Sequence, residues 1–532
     1  MATQTCPSQR KNRWTVPTPG RSPSLHAQPY RRRRPENTTL HRIVRENLES
    51  YLALASEADP IGDAVPIHVE NEFRSHLKCG ILAHGFARAR CSDCGHDFLV
   101  AFSCKTRGSC PSCGARRMAE TAAHMTDHVF PHVPVRQFVL SVPKRLRPYL
   151  HHRPKTATAV LHILLRALQA TLREASPTAP PSASFATASF LHRFGSSLNP
   201  HYHFHLCVVD GLFERVEPDP DSEPRNQSDA PTGCLRFHEA TGLSPQLLER
   251  LQHTVRSRVL RHFRRHGLLE PHDAEDMLDW DHGGGFSLDA SVRIEAMDRS
   301  GLERLIRYCA RPPLALERLH LVGGCSDQIL YCLPKPDLGG RTALRLSALE
   351  FLDRLANILP PPRIHRHRYH GAFAPNAPLR ARITARAVAE NAAAAANLAP
   401  QQTAIPGARK PAKPDPVPLS GSGPSRWAAL LARIYEVFPL ICPSCQTPLT
   451  FIAFLADSLP ITKILAHIGE PTSPPPLHPA RGPPQTEFLL DIGGHESEGV
   501  AQEYLPDHFD QSPEFDPAEP EPVPDDDFDQ NW

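Results

Sequence analysis

Seven side chains able to bind a metal crowd one stretch, Cys79-x4-His84-x6-Cys91-x2-Cys94-x9-Cys104-x5-Cys110-x2-Cys113. A Cys-x2-Cys turn lets two thiolates grip one tetrahedral ion, and a second such turn completes the four-sulfur shell that structural zinc prefers. On spacing alone, Cys91, Cys94, Cys110 and Cys113 are expected to share one zinc. Cys79, His84 and Cys104 are left over; with His96 as a fourth ligand they form a second zinc site, or they are buried thiols. The stretch is poor in large apolar residues, so metal would replace a core that it cannot otherwise build. Arg88, Arg90, Lys105, Arg107, Arg116 and Arg117 give the module a positive rim suited to phosphates. Zinc modules also hold proteins together, so the rim alone does not identify DNA as the ligand. A further pair, Cys442 and Cys445 in ICPSCQTPL, has no second pair nearby and would bind zinc only with ligands borrowed from elsewhere.

A chain of 532 residues has room for two to four domains. Its net charge of +2 hides an asymmetry: residues 501–532 carry 11 acidic and no basic residues, which leaves +13 on the first 500. Such a body attracts a polyanion, and its acidic tail can screen or compete for the same surface. No 18-residue apolar run is present and the N-terminus lacks an apolar secretory segment, so a soluble, intracellular protein is expected. In that compartment the 14 cysteines call for metal or thiol chemistry before disulfides.

The apolar pattern divides the chain. Residues 1–39 read as a disordered basic arm containing YRRRRPE. Residues 40–130 hold the cysteine module, entered by a helix whose stripe is Leu40, Ile43, Val44, Leu48 and Leu52 behind a cap at Thr38 or Thr39. Residues 131–385 alternate strands (RQFVLSVP, LRFHEA) with helices (ATAVLHILLRALQATLREA, PQLLERLQHTVRSRVLRHFRRH), around a polar insertion at 216–233, as one α+β or α/β domain. Arg256, Arg258, Arg261, Arg264 and Arg265 on the last helix either track a DNA backbone or form its solvated side. Residues 386–425 read as a linker after a frayed helix end, 426–471 as a small helical unit with one Cys-x2-Cys, and 472–532 as a mostly disordered Pro-rich acidic tail.

In NPHYHFHLCVVDGLF, a strand ending near Asp210 points His201, His203 and His205 to one face and Tyr202, Phe204 and Leu206 to the other. Those imidazoles could converge on one ion or be ordinary half-buried strand residues. In GLERLIRYCARPP the apolar stripe Leu302, Leu305, Ile306 and Cys309 leaves Tyr308 off the buried line, beside Arg304, Arg307 and Arg311. A phenol becomes a nucleophile only with cationic surroundings, a base or a metal nearby. The arginines could equally hold a phosphate, with Tyr308 a packing or surface residue.

Taken together, HGFARARCSDCGHDFLVAFSCKTRGSCPSCGARRMAETAAH, VPVRQFVLSVPKRLRPYL, NPHYHFHLCVVDGLFE, IRYCARPPLALERL and RYHGAFAPNAPLR resemble bacterial rolling-circle insertion-sequence transposases. These belong to the histidine-hydrophobic-histidine (HUH) nuclease superfamily, in the branch with an N-terminal zinc-binding domain. The resemblance spans about 40–385 and extends weakly to 471. It implies an α+β fold, an antiparallel-sheet nuclease domain with flanking helices preceded by a small zinc-binding domain. It further implies that His203 and His205 hold a catalytic Mg²⁺ or Mn²⁺, with His201 or Asp210 as a possible additional ligand, and that zinc is structural. Tyr308 falls on the catalytic tyrosine, which would form a 5′-phosphotyrosine with DNA, and Arg304, Arg311, Arg107, Arg116 and Arg117 would contact phosphates. Relatives with two tyrosines four residues apart differ from this chain, where Arg304 and Pro312 occupy those positions; Tyr331 and Tyr369 are distant in sequence. The implied partners are single-stranded element ends and target DNA, with self-association or host replication factors and no membrane, in a bacterial, nucleoid-associated cytoplasm. The competing readings are a noncatalytic zinc-dependent DNA-binding protein and an inactive transposase relic.

Overall fold

The structure, a computed structural model, describes residues 32–58, 65–216, 235–280, 282–337, 339–398, 442, 444, 445, 447 and 449–481. Most of the basic arm, the polar insertion, the stretch 399–441 and the acidic tail beyond 481 lie outside the described residues.

A strand buried on both faces belongs in the middle of a covered sheet. Strand β5 (Pro200–Val209) is buried from its second residue to its last and takes that place. It lies between β4 (Ala186–Phe194) and β3 (Val135–Ser141) in an antiparallel sheet ordered β13 (His367–Gly371), β4, β5, β3 and β8 (Ser287–Asp289), with β9 (Arg293–Ile294) also pairing with β3. The even side chains Tyr202, Phe204, Leu206 and Val208 pack with α5 (Pro154–Ala175) and α6 (Pro245–Arg265). Cys207 and Val209 join the opposite core under α3 (Pro111–His128), α8 (Arg299–Cys309) and α10 (Arg380–Leu398). The three histidines therefore share the α8 side, as strand alternation requires. Helix α10 runs past 385 into the stretch expected to be a linker.

A third core joins α1 (Thr39–Ala58), α2 (Ile67–Lys78) and α9 (Ala348–Ile358) to the sheet of β10 (Leu319–Val322), β11 (Cys325–Cys332) and β12 (Ala343–Ser347). Thr38 Oγ1 accepts from His41 N at 3.3 Å at the start of α1, and Leu40, Ile43, Val44 and Leu48 are buried as the stripe predicts.

The cysteine module has a different make-up. Its hairpin of β1 (Phe86–Cys91) and β2 (Asp97–Ala101) acquires a third strand from the far end of the chain, β14 (Leu449–Leu455), followed by α11 (Ser458–His467). The expected C-terminal unit thus contributes a strand as well as a helix. Residues just beyond it run along α1, where Arg481 N donates to Ser50 Oγ at 2.8 Å.

Candidate active site and metal centres

The connection between β4 and β5 is short, closed by Gly195 N donating to Asn199 O at 2.9 Å, and it fixes the register so that His192 faces His203 and Phe190 faces His205. The ring centroids lie 5.0 Å apart for His192 and His203, 4.3 Å for His192 and His205, and 4.9 Å for His203 and His205. One ring nitrogen from each of the three lies within 4.8 Å of the others.

Hydrogen bonds select which nitrogens face inward. His192 Nε2 donates to the carbonyl of Cys309 at 2.6 Å, at the end of α8 where helix carbonyls need partners. His203 Nδ1 lies 3.2 Å from His201 O, and Gln137 Nε2 lies 2.9 Å from His205 Nδ1. His192 Nδ1 and His205 Nε2 are left buried without a hydrogen-bond partner. Burial, assisted by the Arg311 charge, pushes the His192 imidazole down to about 3. Burial also holds His203 and His205 well below the usual range, with neighbouring histidines adding to the effect. Neutral imidazoles with inward lone pairs are the form that binds metal.

Tyr308 closes one side of this cluster. Asp298 Oδ1 accepts from Gly301 N at 2.8 Å and caps α8, which buries Leu302, Leu305, Ile306 and Cys309. Tyr308, off that stripe, stands edge-on to His205 with ring centroids 5.3 Å apart at 87°. The Arg311 guanidinium lies 4.9 Å from the centre of the Tyr308 ring and 5.7 Å from that of Phe194. A cation there can hold a phosphate beside the phenol.

The cysteines form two four-sulfur clusters, Cys79 with Cys104, Cys110 and Cys113, and Cys91 with Cys94, Cys442 and Cys445. In the first, Cys79 and Cys113 sulfurs are 3.5 Å apart, Cys104 and Cys113 3.5 Å, and Cys79 and Cys110 3.7 Å. A tetrahedral ion with Zn–S of about 2.3 Å separates its sulfurs by roughly 3.8 Å, whereas a disulfide needs about 2.05 Å. The donor set fits zinc.

Comparisons with known families agree with these two groups of residues. A family model described as "Transposase zinc-binding domain" matches residues 43–142, and one described as "Putative transposase" matches residues 187–380. The chain carries transposase domains. They imply DNA binding and an enzyme that cleaves or transfers DNA. No curated protein and no solved structure matches the chain. No described helix is long and apolar enough to cross a membrane.

The matched transposase domain contains His192, His203, His205 and Tyr308; the zinc-binding domain contains every cysteine of the two clusters except Cys442 and Cys445. Several residues expected at these sites lie elsewhere. Cys91 and Cys94 do not meet Cys110 and Cys113, because β1 and β2 turn the first pair toward β14 while the second pair opens α3 beside the end of α2. His84 and His96 are exposed and outside both clusters. His201 is buried on the histidine face, 4.8 Å from His203 by ring centroid, but is not among the three converging groups. Asp210 lies at the far end of β5 and is taken by Arg136, at 3.0 and 2.9 Å, and by Arg293 at 2.8 Å. Arg107 and Arg117 are spent largely on backbone carbonyls, including Pro361 O at 3.2 Å and Thr106 O at 3.0 Å. Arg116 sits 3.8 Å from Glu120, and Arg304 is exposed on α8. Tyr331 is sealed in the third core and Tyr369 lies under Arg380, 4.8 Å from its guanidinium.

His192 is the residue that sequence reasoning missed. Its signal was the transposase-domain segment ATASFLHRFG, a run of strand-forming residues ended by Gly195 shortly before the histidine strand. Read as a hairpin, it brings a fourth histidine opposite the other three.

Proposed function

We propose that this transposase breaks and rejoins single DNA strands at the ends of a mobile element through Tyr308, in a rolling-circle-like transposition of the HUH type. The observation that carries the reading is Tyr308 standing 5.3 Å from His205 by ring centroid and beneath Arg311. Tyr308 Oη attacks a backbone phosphorus, forming the tyrosyl O–P bond as the P–O3′ bond breaks. The phenolic proton leaves, the 3′ oxygen departs as a hydroxyl, and the DNA 5′ end remains on the protein. Attack by another 3′ hydroxyl reverses these changes and releases Tyr308, so no ATP is required.

His192, His203 and His205 would hold a divalent ion through the inward nitrogens described above. When bound, that ion polarises the scissile phosphate and stabilises charge on the leaving oxygen. Nitrogen donors suit Mn²⁺ better than Mg²⁺, whose preferred shell is oxygen. For His205 to bind through Nε2, Nδ1 must carry the proton; the Gln137 carboxamide, turned to present its oxygen, accepts it. Arg311 and the exposed Arg304 would guide the phosphate. Cys79, Cys104, Cys110 and Cys113 would carry a structural zinc.

A labelled single-stranded element end incubated with the full chain and Mn²⁺ should give a protein–DNA adduct on a denaturing gel. Tyr308→Phe should remove it, by at least about 1000-fold, while leaving DNA binding in place, because backbone contacts do not need the nucleophile. A normal adduct from Tyr308→Phe would defeat the assignment. Wild-type protein that binds verified ends without forming any adduct would favour a noncatalytic role.

A further inference from the structure

The second cysteine cluster draws half its ligands from outside both matched domains. Cys91 Sγ lies 3.3 Å from Cys445 Sγ, and Cys94 Sγ lies 3.4 Å from Cys442 Sγ and 3.5 Å from Cys445 Sγ. These separations are far beyond a disulfide and near the roughly 3.8 Å edge of a four-thiolate zinc site. Each pair sits on a turn that folds back on itself. Cys91 N donates to His96 O at 2.9 Å and Gly95 N to Cys91 O at 3.1 Å, with Gly95 at φ 71° where a side chain would be strained. On the other turn Cys442 N donates to Thr447 O at 2.8 Å. Two such turns facing each other present four sulfurs to one point.

The surrounding contacts show what an ion there would hold. Strand β14 pairs with β1 from Phe86 opposite Leu455 to Cys91 opposite Leu449. Ile461 and Leu465 of α11 pack against Leu82 and Phe86. Glu470 accepts from Arg32 at 2.9 Å and Arg34 at 2.8 Å, and Arg481 Nη2 donates to Asn47 Oδ1 at 2.9 Å. Yet among the described residues the apolar cluster beside the cysteines is small, with Ala89, Phe98 and Leu449 buried around Cys91 and Cys442 and Val100 packed against them. So small a core does not hold two remote chain segments together by burial alone.

We propose that Cys91, Cys94, Cys442 and Cys445 bind a second zinc ion that clasps the C-terminal segment onto the N-terminal module. The zinc-binding domain is then a composite of both ends of the described chain, and its third strand is metal-dependent. This inference is independent of the strand-transfer reading, since it concerns neither the histidines nor Tyr308.

Metal analysis of the full-length protein should give two zinc ions per chain. The double substitution Cys442→Ser with Cys445→Ser should lower this to one, and amide exchange in β1 and β14 should rise at least tenfold while β4 and β5 stay protected. Cys442→His, which replaces sulfur by another zinc ligand, should restore both the second ion and the protection if that ion, rather than a general misfolding, is responsible. One zinc in the wild type, two in the double serine variant, or unchanged exchange in β14 after loss of one zinc would each overturn the proposal. Failure of Cys442→His to restore either property would also count against it.

Discussion

The two metal-capable regions are built on opposite principles. Around the histidines the sheet is packed on both faces, with Phe204 and Leu206 in one core and Cys207 and Val209 in the other. The cysteine module instead has small clusters in which Cys79, Cys91, Cys110, Cys113 and Cys442 are themselves among the few buried residues. A region with a full core can keep its shape when a ligand is lost, while a region whose core is its ligands cannot. The same kind of substitution should therefore read out as chemistry in one place and as folding in the other.

The largest effect should come from Cys113→Ser. Structural zinc sites contribute about 10 kcal/mol or more of coupled folding free energy. Loss of the first ion should abolish cooperative melting of the module in calorimetry, and a variant that still melts normally would remove the contrast. Within β5 itself the two faces can be set against each other. Phe204→Ala should cost about 3–5 kcal/mol in denaturant titration. His205→Ala should shift the same titration by less than about 1 kcal/mol yet lower adduct yield more than about 100-fold. Equal destabilisation by both would mean that the histidine face is core rather than site.

The smallest effect concerns pH. Burial pushes the His370 imidazole from its ordinary 6.5 down to about 3, and its Nε2 lies 2.8 Å from Ser189 Oγ. The unfolded chain takes up a proton near 6.5 and the folded chain does not, so the stability present above that pH falls as pH drops toward 3. The loss should be about 1.4 kcal/mol per pH unit for this residue. His370→Gln should flatten the slope of stability against pH between 6 and 5 by about that amount; an unchanged slope would mean that His370 already titrates normally.

The parts of this design that were legible are those set by local periodicity. Alternation in β5 put His203 and His205 on one face, and the stripe of α8 placed Tyr308 off its buried line, as found. Strand β4 is harder, because eight of its nine residues are buried, so the alternation of Thr187 and Ser189 with Ala186, Ala188 and Phe190 marks no solvent face. Its His192 enters only through hairpin register, a property of the turn at 195–199 rather than of the strand. Spacing alone misgroups the cysteines for a different reason. Spacing identifies a pair of thiolates but not its partner, and here each local pair closes with residues that only the tertiary fold delivers. Asp210 looked available at the end of β5 because the approach of Arg136 and Arg293 is likewise nonlocal.

The separation of 348 residues between Cys94 and Cys442 also has a meaning in time. Ribosomes add about 5–20 residues per second, so the first two thiols of this cluster wait roughly 20–70 s for the other two to be synthesised. Within that interval, once Val209 has been made, the β4–β5 hairpin has every residue it needs, whereas β1 still presents an unpaired edge and an open pair of sulfurs. Completion of the N-terminal module is thereby a late event in the birth of the molecule, and a chain released early would carry the histidine site with its first module unfinished.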